Sequence, residues 1–207
     1  AVYMIDWVDQ QHCHTTNVEK WDRSNGRLYR MQWARSFKPV KVDLRKQSTP
    51  DLVALVTDKD EWYSRMARRL LQERGDTGVV QLVDQALSSA SETTDVLRLL
   101  WARHLVSGER PPADLFENAA EEVRSWAVSL SVESHSPDSS RLLAMAAKDP
   151  SQMVRLSLAS TLPRLGESDR WRLAEILGSE KEDRGDVFLP RLIWYGLAPV
   201  LLNDVPR

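Results

Sequence analysis

Residues 149–166 read DPSQMVRLSLASTLPRLG, and the fold turns on how that stretch is understood. Val154, Leu158, Leu162 and Leu165 recur three and four residues apart, the spacing that gathers apolar side chains on one side of a helix. Asp149 and Pro150 open the helix, and Arg155 precedes a small residue, Ala159, on its inner side. A small side chain at such a place lets a neighbouring helix come close.

The same arrangement recurs on both sides of this stretch. An arginine is followed by a small inward residue at Arg65 and Ala67, Arg98 and Ala102, Arg124 and Ala127, Arg155 and Ala159, and Arg191 and Gly196. The small positions lie 35, 25, 32 and 37 residues apart. Apolar stripes accompany them: Trp62, Tyr63, Met66, Ala67, Leu70 and Leu71; Leu97, Leu100, Trp101 and Leu105; Val123, Trp126, Ala127 and Leu130. Gly75 and Gly108 end the first two of these helices.

Each stripe follows a shorter apolar helix candidate: DLVALV, VVQLVDQAL, ADLFENA, SSRLLAMAA and DRWRLAEIL. Five helix pairs repeated in this way predict a mainly α, right-handed HEAT-like α-solenoid over 51–207, in which each pair buries its apolar side against its neighbours. The spacing is shorter than the roughly 40 to 47 residues of ordinary HEAT units.

The N-terminal region has a different character. AVYMID and GRLYRMQW have strand composition, and between them a polar loop ends in the turn signal SNG. A β-hairpin over 1–35 is expected, and two strands alone are marginal in water, so they require a sheet to join. Residues 36–50 carry two prolines and little periodicity and read as a linker. Ser48-Thr49-Pro50-Asp51 marks the start of the first helix.

Composition is that of a globular protein, 42% hydrophobic and 28% charged. The longest apolar stretch, LIWYGLAPVLL, is too short to span a bilayer and contains Pro199. AVYMIDWVDQ lacks the basic start of a signal peptide and reads as a strand entered midway, which suggests a piece of a longer chain. Residues 1–50 hold 9 Lys+Arg and 5 Asp+Glu, a net +4, whereas the remainder holds 19 and 25, a net −6. An acidic helical body argues against nucleic acid as a partner.

Two stretches together carry a family resemblance. DWVDQQHCHTTNVEKWDRSNGRLYR, Asp6 to Arg30, and EWYSRMARRLLQERG, Glu61 to Gly75, resemble the large membrane-bound dehydrogenases of planctomycete-type bacteria, as does DVFLPRLIWYGLAP near the C-terminus. In that family a β-propeller precedes HEAT-like helices and a c-type haem domain. The resemblance implies that residues 1–35 are a remnant of the propeller's last blade, that the flanking propeller and haem domains are this segment's partners, and that it works in the periplasm or otherwise outside the cytoplasm. No cofactor falls within the chain itself, since C-x-x-C-H is absent. Haem c and a quinone or metal would belong to the rest of the protein.

The candidate site residues are few. His12, Cys13 and His14 have the donor atoms for zinc, copper or iron, with Asp6, Asp9 or Asp22 as a further ligand. In an extended strand, however, His12 and His14 face away from Cys13. A packed loop, or a disulfide from Cys13 to the propeller that the resemblance implies, is the competing account. WDRSNGR has the residues a blade corner needs, and structure is favoured over catalysis there.

Trp62, Trp101, Trp126 and Trp194 occupy comparable places in the second helices. They are expected in the core, with an aromatic groove for peptide or sugar as the sharper alternative. His104 is expected to be a satisfied core histidine. Arg65, Arg68, Arg69 and Arg74 are expected on a solvated face, offset by Asp58, Asp60, Glu61 and Glu73. No nucleophile, base and acid can be singled out as a set. The expected function is a non-catalytic scaffold or interaction module, the alternatives being a metal or cofactor role for the HCH loop and a nucleic-acid or peptide-binding HEAT module.

Overall fold

The computed structural model describes residues 2–6, 26–38, 40–76, 78–134 and 138–204, and is mainly helical with one small sheet. The chain divides into two units, Ala1–Val42 and Asp43–Arg207.

In the first unit, β1 (Val2–Ile5) and β2 (Leu28–Met31) pair antiparallel, Val2 opposite Met31 and Ile5 opposite Leu28. The Asp6 amide extends the ladder by donating to the Arg27 carbonyl at 2.8 Å. All eight strand residues are exposed, from Tyr29 and Met4 at 43% to Ile5 at 73%. Since side chains alternate between faces along a strand, apolar groups are exposed on both sides of this sheet. The Arg30 guanidinium lies over the rings of Tyr3 and Phe37, at 5.7 and 5.5 Å.

The second unit contains, among the described residues, nine α-helices: α1 (Thr49–Leu55), α2 (Glu61–Arg74), α3 (Val79–Ser89), α4 (Thr93–Ser107), α5 (Glu121–Ser131), α6 (Ser139–Ala146), α7 (Gln152–Thr161), α8 (Glu167–Ser179) and α9 (Leu189–Asp204). Their ends carry the expected chemistry. Ser48, Asp60, Asp138 and Ser151 accept a first-turn amide. Gly75 and Gly108 close α2 and α4 at φ 60° and 65°, a left-handed conformation that other residues adopt at a cost. Residues 43–50 belong with this unit: Leu44 is buried, and Arg74 donates to the carbonyls of Arg45 and Gln47 at 3.1 and 2.7 Å. Arg74 is therefore not part of a free solvated face.

The helices lie in two rows. α1 packs on α3 and α6 on α8, while α2, α4, α5, α7 and α9 contact one another in succession. The expected third short helix, ADLFENA, is instead a 3-10 segment, Ala113–Glu117, packed on α5. Pro111 and Pro112 stand immediately before it, and proline is excluded from a helix interior, so winding cannot begin earlier, and α5 follows at Glu121. This accounts for the shortest interval between small residues, from Ala102 to Ala127.

Those small residues sit where helices meet. Ala67, Ala102, Ala127 and Ala159 are at most 1% exposed. A Cβ added to Gly196 on α9 would lie 2.5 Å from Leu162 Cβ, so glycine is required there by contact rather than by φ. Val154, Leu158, Leu162 and Leu165 are all buried, as their spacing predicts.

The other stripes need correction. α4 buries Val96, Leu99, Leu100 and Ala102, whereas Leu105 is 41% exposed. Trp62, Trp126 and Trp194 are 48%, 42% and 59% exposed and Trp101 is only partly buried, so these tryptophans are not core. Leucine, valine and alanine fill the closely approached positions, where an indole would not fit.

Candidate functional site

Three arginines of the second row are spent on structure. On α4, Arg98 donates to the Asp58 carbonyl at 2.8 Å and to the Glu61 carboxylate, fixing the loop between α1 and α2. On α5, Arg124 makes a two-pronged pair with Asp149 at 2.7 and 3.0 Å and also donates to the carbonyls of Asn118 and Ala119. On α7, Arg155 repeats this one unit later, reaching Asp183 at 2.5 and 2.9 Å and the Asp149 carbonyl at 3.3 Å.

A ladder thus runs Arg124, Asp149, Arg155, Asp183 through the loops between successive helices. Planar guanidinium and planar carboxylate meet through two parallel N–H···O bonds, which fixes orientation as well as distance. The side chains of Arg155 and Asp183 are 5% and 3% exposed.

Electrostatics follow this geometry. Hydrogen bonding to Asp149 raises the Arg124 guanidinium, against the opposing effect of burial. Asp183 does the same for Arg155. Burial pushes the Asp149 carboxyl upward, but bonds from Arg124 and the Ser151 amide, with the charges of Arg124 and Arg155, hold it below its ordinary value. Asp149 and Asp183 were not legible as ladder acids, because the only sequence signal is their interval of 25 to 28 residues from the arginines they bind.

Beside the ladder lies a hollow of about 640 Å³ lined by Phe116, Arg124, Asp138, Arg141, Met145 and Asp149, among others. Its charges are largely matched among themselves. Arg124 holds Asp149, while Arg141 is 3.5 Å from Asp138 and lies 5.1 Å over the Phe116 ring. Of its carboxylates, Asp138 and Asp149 are engaged by Arg141 and Arg124, and the Ser140 hydroxyl donates to Asp138 at 2.7 Å.

A second surface lies on α2, α4 and α5. The Arg68 guanidinium sits 5.3 Å over the Trp101 ring, and Trp101 meets Trp126 edge to face at 5.1 Å. Arg68 Nε, Trp101 Nε1 and His104 Nδ1 are buried without a hydrogen-bond partner among the described residues. His104 is therefore not the satisfied core histidine that its position suggests. Arg65 and Arg69 pair with Glu61 and Glu73 one turn away, at 3.2 and 2.6 Å, as expected of a solvated face.

His12, Cys13, His14 and Asp22 lie outside the described residues, as does most of WDRSNGR. Among the described residues there is no group of three or more His, Cys, Asp or Glu placed to hold a metal. None of the helices described is long and apolar enough to cross a membrane. Comparison of the chain with protein-family models, with curated proteins and with solved structures gives no match.

Proposed function

We propose that this chain is a non-catalytic scaffold and interaction module, a HEAT-like α-solenoid of five units that holds a β-propeller domain and a c-type haem domain in register within a larger extracytoplasmic dehydrogenase. The observation that carries the reading is the two-sided sheet of β1 and β2. Among the described residues, two strands with Tyr3 and Ile5 exposed on one side and Val2 and Met4 on the other have no core of their own. Among those residues, too, no further strand pairs with either outer edge. Such a hairpin suits the last strands of a larger sheet, as a propeller blade would supply.

The helical unit supports the scaffold half. Its two most buried ion pairs lie in the ladder that ties one helix pair to the next, and its two rows of helices repeat with an arginine and a small residue in each unit of the second row. Both features support the nearest-neighbour construction of solenoid proteins.

Hydrogen exchange tests the proposal on this 207-residue chain and on the native protein from its source organism. Amides of residues 2–5 and 28–31 should exchange rapidly in the chain alone and become protected at least a hundredfold in the native protein, which should also show a c-type haem spectrum. Equal exchange in both, or a native protein without haem, would refute the propeller–haem context.

A further inference from the structure

We propose that the surface around Arg68 and Trp101, on α2, α4 and α5, docks an acidic, extended peptide segment of a partner protein. This rests on the interaction-module reading but not on the propeller–haem context.

The first observation is a local excess of positive charge. Arg65, Arg68 and Arg98 act on one carboxylate, Glu61, which is already bound by Arg65 at 3.2 Å and by Arg98. Arg68 is left with the face of Trp101 as its neighbour, and its Nε has no acceptor. A partly buried guanidinium without a carboxylate is costly, and an incoming carboxylate would relieve that cost.

The second observation is an exposed apolar surround. Trp126, which meets the Trp101 ring edge to face, and Leu105, one turn along α4 from Trp101, are 42% and 41% exposed and offer contact to aliphatic side chains flanking a carboxylate.

A phosphate backbone would also satisfy the donors, but charge decides against it. The excess is two positive charges at one place, while residues 51–207 carry a net −6. A nucleic acid brings a charge with every nucleotide and needs a continuous basic track. One or two carboxylates spaced along an extended peptide match the local excess without facing the rest of the acidic unit.

The test is fluorescence anisotropy of a labelled eight-residue peptide of alternating glutamate and leucine, titrated with the 207-residue chain. Lysine–leucine and eight-nucleotide oligothymidylate probes serve as comparisons. The glutamate peptide should bind saturably and more weakly as salt rises. Arg68→Leu should weaken it about tenfold. Trp126→Ala, which removes the exposed ring beside Trp101, should weaken it about threefold, and Glu61→Gln, which removes the competing carboxylate, should strengthen it about threefold.

Absence of saturable binding, oligothymidylate binding more tightly than the peptide, or Glu61→Gln leaving the affinity unchanged would overturn the proposal. Circular dichroism identifies a misfolded Arg68→Leu protein, in which case the Trp126→Ala and Glu61→Gln results decide. A negative result here leaves the exchange behaviour of the hairpin untouched, so the two proposals fail separately.

Discussion

Cutting the Arg155–Asp183 pair and then removing it whole gives different outcomes, and the difference can be worked from the geometry. Both side chains are almost inaccessible and joined by bonds of 2.5 and 2.9 Å. Arg155→Met removes the partner of a carboxylate that stays 3% exposed. Leaving one buried charge unpaired costs about 3 to 5 kcal/mol.

Arg155→Met with Asp183→Leu removes both charges and the desolvation they carry. The double variant should lie within about 1 to 2 kcal/mol of the wild type, even though it differs more from it in sequence. Part of the remaining loss is the 3.3 Å bond from Arg155 to the Asp149 carbonyl, worth about 1 kcal/mol. Urea unfolding followed by circular dichroism reads this as the midpoint. At a slope of about 2 to 3 kcal/mol per molar, the single variant moves it down by roughly 1 to 2 M and the double variant recovers most of that. If the double variant were as unstable as the sum of the two singles, the pair would not be an energetic unit and the ladder argument would fail.

Two further outcomes are expected. Gly196→Ala drives a methyl group into the Leu162 Cβ, and overpacking of this kind costs about 1 to 3 kcal/mol; combining it with Leu162→Gly, which removes that Cβ, should lose less than the two changes summed, which a thermal-melt cycle checks. Asp149 has a folded-state carboxyl below its ordinary value of 3.8, so its contribution to stability is full above the unfolded value and is lost as pH falls through the folded one. The stability gap between wild type and Asp149→Asn should therefore be largest near neutral pH and shrink as pH drops below 3.8; a gap that stays constant would mean the carboxylate is not what matters there.

How far the sequence could be read depended on what each segment had to specify locally. The α7 stretch was legible because Val154, Leu158, Leu162 and Leu165 form one clean stripe and all are buried. α4 was not, because apolar residues occur on every side of it. Val96 and Leu97, like Leu100 and Trp101, are sequence neighbours, and periodicity cannot choose which of each pair faces inward.

Residue size misled at the tryptophans. Their hydrophobicity suggests burial, but helices that touch through alanine and glycine have no volume for an indole, so the rings lie at the margin. The candidate surface suffered in consequence, since Arg68 and Trp101 are 33 positions apart and meet only because α2 and α4 pack together. The ladder acids were hidden for the same reason. The HCH segment, the clearest chemical signal in the sequence, lies outside the described residues.

The short 3-10 segment at Ala113–Glu117 has a mechanical consequence. α1 with α3, and α6 with α8, give the first row helix-length neighbours, but at this point the row has only a single tight turn. In the solenoid proposed above, whose cohesion would be a sum of nearest-neighbour terms, the smallest term sets where it yields. On that proposal, strain applied to the ends of the helical unit would concentrate between α4 and α5, a compliant joint between two stiffer segments.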